Sequence, residues 1–297
     1  MIAAIIIASG VLIGLAVHHT HVSNHRTVRH VSAGPTSPAS SSSSGLSTVN
    51  AATVTSDDSS EAPLFAAADT KVAWRAIGGC SGSPHLGITT DGGRSWGNPK
   101  SPAPHVLALG VTGASSGWVV GADAQCKPTY YTTSDGGQTW QRGSGLNRVW
   151  FLTPSGLRAP GQTATTPCGK STPIAVAATS VSGAVVVCPT GVFRTTTAGD
   201  SWTAAGQLPS GHPAAVGLNG NGAGVIALAG VHGCAGLQIA TTADAGRSWS
   251  AGSCLRLANP PAGVGFGSSG AGVLNAVGVT YTSTDAGRSW SSGKPSI

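Results

Sequence analysis

The sequence predicts an all-β domain in the form of a β-propeller with five four-stranded antiparallel blades, preceded by an N-terminal hydrophobic helix and a disordered linker. The composition is rich in Gly (44 residues) and poor in charge (9%), which disfavours long amphipathic helices and favours short strands joined by tight turns. A motif ending in Trp also occurs five times, at intervals of 44, 62, 47 and 41 residues. A period in the forties with a β-type composition is typical of propeller blades.

Residues 1–19 begin the chain with the apolar run MIAAIIIASGVLIGLAV. As a helix this run would span about 27 Å, enough to cross a hydrocarbon core. It is long for the core of a signal peptide, so a signal anchor is favoured and a cleaved signal peptide stays open. Arg26 and Arg29 follow the run and no Lys or Arg precedes it, which by itself favours a cytoplasmic domain. We nevertheless expect a single-pass protein of the cell membrane with the propeller outside the cytoplasm, or a secreted one, because six cysteines are typical of exported domains.

Residues 20–62 are rich in Ser, Pro and Ala and include SPASSSSSG at 37–45. Such a segment cannot bury enough apolar surface to fold, so it is interpreted as a flexible linker. The folded domain is therefore assigned to residues 63–297.

The repeated motif reads Ser/Thr-x-Asp-x-Gly-x-Ser/Thr-Trp, and the third of the five copies has Thr197 in place of Asp. Its Asp is expected to accept hydrogen bonds from backbone N–H groups of its own turn. Its Gly provides the positive φ of a hairpin corner, and its Trp packs between neighbouring sheets. The motif is interpreted as a structural turn between the third and fourth strands of each blade, formed by Asp91, Gly93, Trp96, Asp135, Gly137, Trp140, Gly199, Trp202, Asp244, Gly246, Trp249, Asp285, Gly287 and Trp290.

The blades follow from these turns. The second strands are predicted in VAWRAIGG, GWVVGAD, AVVVC, GVIALAG and GVLNAVG. The blades are placed at about 63–100, 105–145, 173–207, 213–257 and 262–297. A sixth blade would need residues 146–172 to contain a degenerate one.

The motif resembles the Asp-box, or BNR, repeat of sialidases, sortilin-type receptors and the photosystem II assembly-factor family with its bacterial relatives. The resemblance covers roughly residues 63–297 and is nearest to the exported bacterial sortilin-like and assembly-factor-like proteins. It implies a β-propeller. It does not specify a function, because the repeat occurs in proteins with unrelated activities.

The six cysteines allow fifteen pairings. Cys234 and Cys254 lie ten residues before and after Asp244, so they are expected to be cross-strand neighbours that form a disulfide. Cys168–Cys188 and Cys80–Cys126 are the pairings expected for the rest, with other connectivities open. No C-x₂-C spacing occurs, so no metal and no cofactor is predicted.

Catalytic residues are not predicted. Glycoside hydrolysis generally needs two carboxylates, or a Tyr with a Glu, at short range. The only Glu is Glu61, in the linker, and of the seven Asp residues in the folded domain only Asp69 and Asp123 lie outside the repeated turns. The protein is therefore predicted not to be an enzyme.

Residues 146–172 form a long insertion that carries Arg148, Trp150, Phe151 and Arg158, residue types that are enriched at binding hot spots. These four are the candidate partner-binding residues. The alternative is a strand that packs on blade 3 or closes the central channel. The net charge of +6 comes from scattered cations, so no nucleic acid is predicted.

These observations predict a non-enzymatic, membrane-anchored, extracytoplasmic propeller that acts as an interaction or assembly scaffold. Its expected partners are a protein or a glycan at the cell surface, and the membrane through the N-terminal helix. The alternative is a propeller that binds glycans or cleaves them like a sialidase.

Overall fold

The computed structural model describes residues 62–81, 83–162, 165–256, 262–276 and 279–292. In these residues the chain forms a five-bladed, all-β propeller, as predicted. The predicted hydrophobic helix and nearly all of the predicted linker lie outside the described residues. Within the described ranges, no helix is long and apolar enough to cross a membrane.

Each blade is a small antiparallel sheet whose strands follow chain order. Blade 1 has β1 (Ala62–Ala67), β2 (Ala73–Gly78) and β3 (Gly87–Thr89), and an isolated bridge between Ile88 and Gly97 takes the place of its fourth strand. Blade 2 has β4 (His105–Val111), β5 (Gly117–Ala122), β6 (Pro128–Thr133) and β7 (Gln141–Gly143). A 3-10 turn, Gly145–Arg148, and a hairpin of β8 (Phe151–Thr153) and β9 (Gly156–Arg158) follow it.

The remaining three blades each have four strands. Blade 3 has β10 (Ala175–Ala178), β11 (Ala184–Cys188), β12 (Gly191–Thr195) and β13 (Thr203–Ala204). Blade 4 has β14 (His212–Leu218), β15 (Gly224–Ala229), β16 (Leu237–Thr242) and β17 (Ser250–Leu255). Blade 5 has β18 (Ala262–Phe266), β19 (Gly272–Ala276), β20 (Val279–Ser283) and β21 (Ser291–Ser292). All five predicted second strands are therefore confirmed, as β2, β5, β11, β15 and β19.

The core lies between the blades. Every residue of β5 and β11 is buried, because a sheet covered on both faces needs apolar side chains on both. This is why the second strands do not alternate strictly between apolar and polar residues. The fourth strands form the rim instead, and every residue of β7 is exposed. Each fully buried Val, Leu or Ile side chain stabilises the fold by about 1.5–3 kcal/mol relative to an exposed one.

The first strands of the blades pack side by side around the ring. β1 packs on β4, β10 on β14, β14 on β18, and β18 on β1. The hairpin strand β8 stands between β4 and β10 and contacts both. The ring closes where blade 5 meets blade 1, and Gly263 and Gly267 allow a close approach there to Phe65 and to the carbonyl of Ala68.

The β8–β9 hairpin packs against blade 3 in the position where each other blade has its preceding blade. In the repeated turns of the other blades, the Gly lies against a residue of the preceding blade, namely Thr280 for Gly93, Pro99 for Gly137, Val185 for Gly246 and Val225 for Gly287. Gly199 of blade 3 lies instead against Ala159 and Thr165, which follow the hairpin. The insertion thus forms a two-stranded wedge rather than a sixth blade.

The Trp side chains of the repeated turns show the same replacement of a preceding blade by the insertion. Trp140 of blade 2 makes an edge contact with Trp74 of blade 1, with ring centroids 5.9 Å apart. Trp202 of blade 3 makes the same contact, also at 5.9 Å, with Trp150 of the insertion. The wedge therefore supplies the aromatic partner that a full blade would supply.

Candidate partner-binding face

The propeller has two faces that differ in construction. We call one the turn face, because it carries the five repeated turns together with the connections between first and second strands. We call the other the disulfide face, because it carries the connections between second and third strands, in which Cys80, Cys126 and Cys234 lie, while Cys188 ends a second strand. The first described residue, Ala62, pairs with Gly78 at the disulfide-face end of blade 1.

On the turn face, the motif folds through a compact set of hydrogen bonds. In blade 1, the Asp91 carboxylate accepts hydrogen bonds from the Ser95 N–H (3.0 Å), the Ser95 hydroxyl and the Thr89 hydroxyl (2.8 Å). The Thr89 hydroxyl oxygen in turn accepts from the Gly93 N–H at 2.9 Å. The same bonds recur around Asp135, Asp244 and Asp285. We call these loops, together with the equivalent loop around Thr197, the aspartate turns.

A further hydrogen bond ties each aspartate turn to the connection between the first two strands of its blade. In each case a backbone N–H of the turn donates to a backbone carbonyl oxygen of the connection, at 2.7–3.0 Å. The pairs, with the donor named first, are Gly92–Lys71, Gly136–Ser115, Ala198–Ser182, Ala245–Gly222 and Ala286–Gly270. The donating residue has a positive φ in every turn, including φ 55° at Ala245. The turn face is therefore built five times on one plan.

The third aspartate turn keeps this geometry without a carboxylate. The Thr197 hydroxyl oxygen accepts a hydrogen bond from the Ser201 N–H at 3.0 Å, and Thr195 accepts one from the Gly199 N–H at 3.3 Å. Asp200 stands in this turn where the other copies have Arg or Gln. The turn therefore depends on an acceptor oxygen at this position more than on a charge.

Hydrogen bonding keeps the turn carboxylates ionised. The Thr139 hydroxyl and N–H lower the pKa of Asp135 to about 2, and the equivalent bonds from Ser289 lower the pKa of Asp285 to about 2. The pKa of Asp91 is lowered for the same reason. A group with so low a pKa is a poor general acid or base near neutral pH.

The remaining aspartates of the domain also bind nearby donors. Asp69 and Asp123 accept hydrogen bonds at 2.7–3.0 Å from backbone N–H groups two to four residues later. Asp200 accepts one from the Gln162 side chain. In the described part of the chain, no group of three potential metal ligands occurs. Asp69 lies on the turn face and Asp123 on the disulfide face, so they do not form the carboxylate pair that glycoside hydrolysis needs.

The disulfide face is held by covalent bonds. Cys80–Cys126 joins blades 1 and 2, Cys168–Cys188 joins the insertion to blade 3, and Cys234–Cys254 lies within blade 4. Their Cα atoms are 5.4–5.7 Å apart. All three expected pairings are present.

Two of the four candidate partner-binding residues lie in the core. Trp150 is 0% exposed and donates a hydrogen bond from its indole N–H to the Ser180 carbonyl at 3.1 Å, and Phe151 is 4% exposed. The prediction that these aromatic side chains contact a partner is therefore wrong. They fill the seam beside blade 3, as the alternative interpretation expected.

The two arginines of that prediction are accessible. Arg148 ends the 3-10 turn and is exposed; its charge opposes the rise that burial causes in the pKa of Tyr130. Arg158 ends β9, pairs with Phe151 and is half-buried. The structure does not group these arginines with the hairpin tip, because Arg158 is at the other end of the hairpin. Their contact with a partner stays a prediction.

The hairpin tip reaches the disulfide face. Pro154 and Ser155 are exposed and line a cavity of about 230 Å³ together with Cys168 and Lys170. Because Cys168 is bonded to Cys188, the segment between the hairpin and blade 3 is covalently attached to blade 3. Pro154, Ser155 and Lys170 are exposed around this cavity.

A larger depression lies between blades 1 and 2 and extends from the β2–β3 connection of the disulfide face to Pro99, which packs against Gly137. Its volume is about 570 Å³, and it is lined by the residues 84–86 and 98–104, which include Pro84, Pro99, Pro102 and Pro104. An adjoining cavity of about 370 Å³, between blades 1 and 5, shares His85 and Asn98 with it and contains Arg75. Arg75 was not among the predicted site residues. The signal was available, since Arg75 is a charged residue inside a predicted buried strand.

The comparisons with known proteins concern the fold. No protein-family model and no curated protein matches the chain. Among solved structures it is similar to "YCF48 bound to D1 peptide", at 19% identity over 82% of this chain and 71% of that chain, with a TM-score of 0.31. It is similar to YCF48 from Cyanidioschyzon merolae at 15% identity, covering 79% and 84% of the two chains, with a TM-score of 0.39. For a GH74 xyloglucanase from Xanthomonas campestris the identity is 17%, the coverage 77% and 37%, and the TM-score 0.32.

Two of these structures are of YCF48, and the third is of an enzyme. Likeness at this level carries no argument about activity. The chain's own sheet topology makes it a five-bladed β-propeller.

Proposed function

We propose that this protein is a non-enzymatic, membrane-anchored propeller outside the cytoplasm that binds a protein partner through its disulfide face. The aspartate turns favour a place among the Asp-box propellers. The observation that carries the proposal is the engagement of every described carboxylate. All seven aspartates between residues 63 and 297 have a hydrogen-bonded side chain.

Engaged carboxylates argue against acid–base catalysis. Hydrolysis of a glycosidic bond needs an acid and a base or nucleophile that face each other across the substrate. Here six of the seven aspartates lie on the turn face and Asp123 on the disulfide face, and each accepts hydrogen bonds from its own loop or from a neighbouring side chain. A binding role needs none of these groups.

The three disulfides favour the exported location. Structural disulfides persist in oxidising compartments and are rare in the cytosol. A hydrophobic segment at residues 1–19 and a long linker would then hold the propeller near the membrane surface. Protease treatment of intact cells tests this placement. Cleavage of the domain without lysis is expected, and full protection would contradict it.

The disulfide face is the better candidate for contact because its connections differ from blade to blade, whereas the turn face repeats one design. Binding residues are found disproportionately on variable loops that a rigid scaffold positions. YCF48 has been solved with a D1 peptide bound, and we propose that the partner of this chain is also a protein.

Site-specific photo-crosslinking in the native membrane tests the face. A photoreactive residue at Ser155, on the hairpin tip, is compared with one at Gln138, an exposed position of an aspartate turn. The same discrete adduct is expected from Ser155 in repeated experiments and none from Gln138. Equal adducts from both positions would overturn the choice of face.

A parallel assay tests the absence of catalysis. The purified protein is incubated with a fluorogenic sialoside and with xyloglucan, and no turnover is expected. Hydrolysis that an aspartate substitution abolishes would overturn the non-enzymatic assignment and favour a glycoside hydrolase.

A further inference from the structure

Arg75 breaks the repeat at a buried position. In the sheet register, Arg75 of β2 pairs with Gly87 of β3, four residues before the turn aspartate. The equivalent pairs in the other blades are Val119–Tyr131, Val186–Phe193, Ile226–Ala240 and Leu274–Tyr281. The four second-strand residues of these pairs are each 0% exposed. Blade 1 thus has a cation at a position that the other four blades fill with an aliphatic side chain.

Local structure holds the Arg75 side chain in place. Gly87 has no side chain, and a Cβ there would lie 2.9 Å from Arg75 Nε, so this Gly makes room for the guanidinium. The guanidinium carbon lies 4.2 Å from the centre of the Trp96 ring. Phe65 packs on Trp96 from the first strand, with ring centroids 5.9 Å apart. One face of the planar Arg75 guanidinium thus stacks on the Trp96 indole. The N–H groups lie in the plane of the guanidinium, so stacking does not cover them.

The cavity around Arg75 has positive charge, and no described residue that lines it is acidic. The polar side chains of this lining, besides Arg75, are those of His85, Asn98 and Asn275, and the walls include Pro63. Partial burial lowers the pKa of Arg75, although an arginine stays protonated at any physiological pH. Among the described residues this half-buried cation has no carboxylate partner, so its stacking on Trp96 only partly replaces the hydration it loses, which favours an anionic ligand.

The shape of the site indicates an extended chain. The Arg75 cavity, of about 370 Å³, adjoins the larger depression of about 570 Å³ through His85 and Asn98. Lys100 lines that depression, and none of its described lining residues is acidic. A peptide lying along the proline-lined depression would direct one side chain into the Arg75 cavity, as into a side chamber.

We propose that this two-part groove on the disulfide face binds an extended acidic segment of a protein, with one Asp or Glu side chain bonded to Arg75. The inference rests on the proposed function, because it names the chemistry of the partner that the disulfide face would bind. The guanidinium fork suits a carboxylate, to which it can donate two parallel hydrogen bonds. Asn98 lines both cavities, so its amide is the expected partner for a peptide group beside that side chain.

The test uses three peptides with acetylated N-termini and the full-length protein in detergent. The first is amidated Ala-Ala-Pro-Glu-Pro-Ala-Ala, the second has Gln in place of Glu, and the third is the Gln peptide with a free carboxyl end. Chemical shifts of the Arg75 side-chain Nε–H report binding. The Glu peptide is expected to shift this resonance with saturation, and the other two are not.

Variants separate the role of Arg75 from general charge. Arg75→Gln is expected to weaken binding of the Glu peptide at least about tenfold, because a charge-assisted pair is lost. Arg142→Gln removes one exposed cation from β7 and is expected to leave the affinity unchanged at about 150 mM salt. Peptide fluorescence polarisation measures all variants, including those without the Arg75 resonance.

Arg75→Leu addresses stability. Since the other blades have aliphatic residues here, this variant is expected to unfold at the same or a higher urea concentration while losing the Glu peptide. A residue with a merely structural role would give the opposite result, a less stable protein with unchanged peptide binding.

Equal affinity for the Glu and Gln peptides, or undiminished binding by Arg75→Gln, would overturn the proposal. Binding of the free-acid Gln peptide alone would do so too, because the site would then recognise a chain end. Failure of the proposed function is distinguishable. If the Ser155 adduct persists in Arg75→Leu and no peptide binds, the disulfide face still binds a partner and only the Arg75 site is wrong.

Discussion

The turn face and the disulfide face solve the same problem, closing the ends of five small sheets, in different ways. The turn face repeats one set of hydrogen bonds in every blade, within turns of equal length. On the disulfide face, the connections between second and third strands range from residues 189–190 in blade 3 to 79–86 in blade 1, and three disulfides hold the face together. A repeated turn leaves little room for change because each bond depends on its neighbours. Loops that disulfides hold in place can differ in length and sequence. The hairpin tip of the wedge and the Arg75 cavity both lie at this face.

The largest effect is expected from removing the cross-links of the disulfide face. In a loop-closure estimate, replacing Cys80 and Cys126 by Ser costs about 4 kcal/mol of unfolding free energy, and each of the other two pairs about 3 kcal/mol. Together these losses match the whole stability of a typical domain, so a variant with all six cysteines replaced is expected not to fold. Circular dichroism with urea unfolding of the three pair variants and the six-Ser variant measures this. Cooperative unfolding of the six-Ser variant would show that the non-covalent contacts of this face suffice.

The next effect is expected at the seam of the wedge. Trp150→Ala removes a fully buried indole that packs on Trp202 and is expected to cost about 3–5 kcal/mol. Trp150→Phe keeps the ring contact and loses the hydrogen bond to Ser180, so it should cost clearly less. Urea unfolding compares the two variants. A cost well below the cavity range for Trp150→Ala would mean that the wedge is not needed to complete the ring.

A smaller effect is expected in the third aspartate turn. Thr197→Asp alone should gain little, since the new carboxylate would lie in the same turn as Asp200. Thr197→Asp with Asp200→Arg gives this turn the charges of its neighbours and is expected to stabilise the domain by about 1 kcal/mol. Thermal unfolding of wild type, single and double variants measures the gain. Asp200→Arg alone is the control for loss of the Gln162 hydrogen bond to Asp200. No gain from the double variant over this control would mean that the Thr197 hydroxyl already satisfies the turn.

The smallest effect is expected from acid. The folded pKa of Asp135 and of Asp285 is about 2, against about 3.9 in an unfolded chain. Because the folded pKa is depressed, the contribution of each carboxylate is complete above about pH 4 and is lost as the pH falls toward about 2. Urea unfolding over this range of pH should show a loss of stability.

The matched control for acid is Asp135→Asn with Asp285→Asn. It should lose less stability than wild type over the same pH interval, since two of the titrating groups are gone. An identical pH dependence in both proteins would mean that the turn carboxylates do not couple folding to protons.

Much of the fold could be predicted because its signals are local. The number of residues between the second strand and the residue equivalent to Asp91 is similar in every blade. The strands β5, β11, β15 and β19 could therefore be placed by counting back from the repeated turn of each blade. The Cys234–Cys254 pair followed from equal distances about one hairpin. These features depend on residues at most about twenty positions apart, where turn geometry dictates the register.

The candidate site could be predicted less well, and the insertion shows why. Trp150 and Phe151 were assigned to a surface because aromatic residues in a long loop are typical of binding sites. Their burial depends on Ser180 and Trp202, thirty or more residues away. Whether an aromatic side chain contacts a partner or a neighbouring blade is set by that distant packing, which a local pattern does not contain.

The sequence alone determined the blade type, the five aspartate turns, the second strands and the Cys234–Cys254 disulfide, because each arises from hydrogen bonds and hairpin registers within one repeat. Only the tertiary structure decided that residues 151–158 form a wedge and that Arg75 faces a cavity between blades 1 and 5. Those outcomes arise where blades meet, and blades meet through residues far apart in the chain, Phe65 and Gly263 among them.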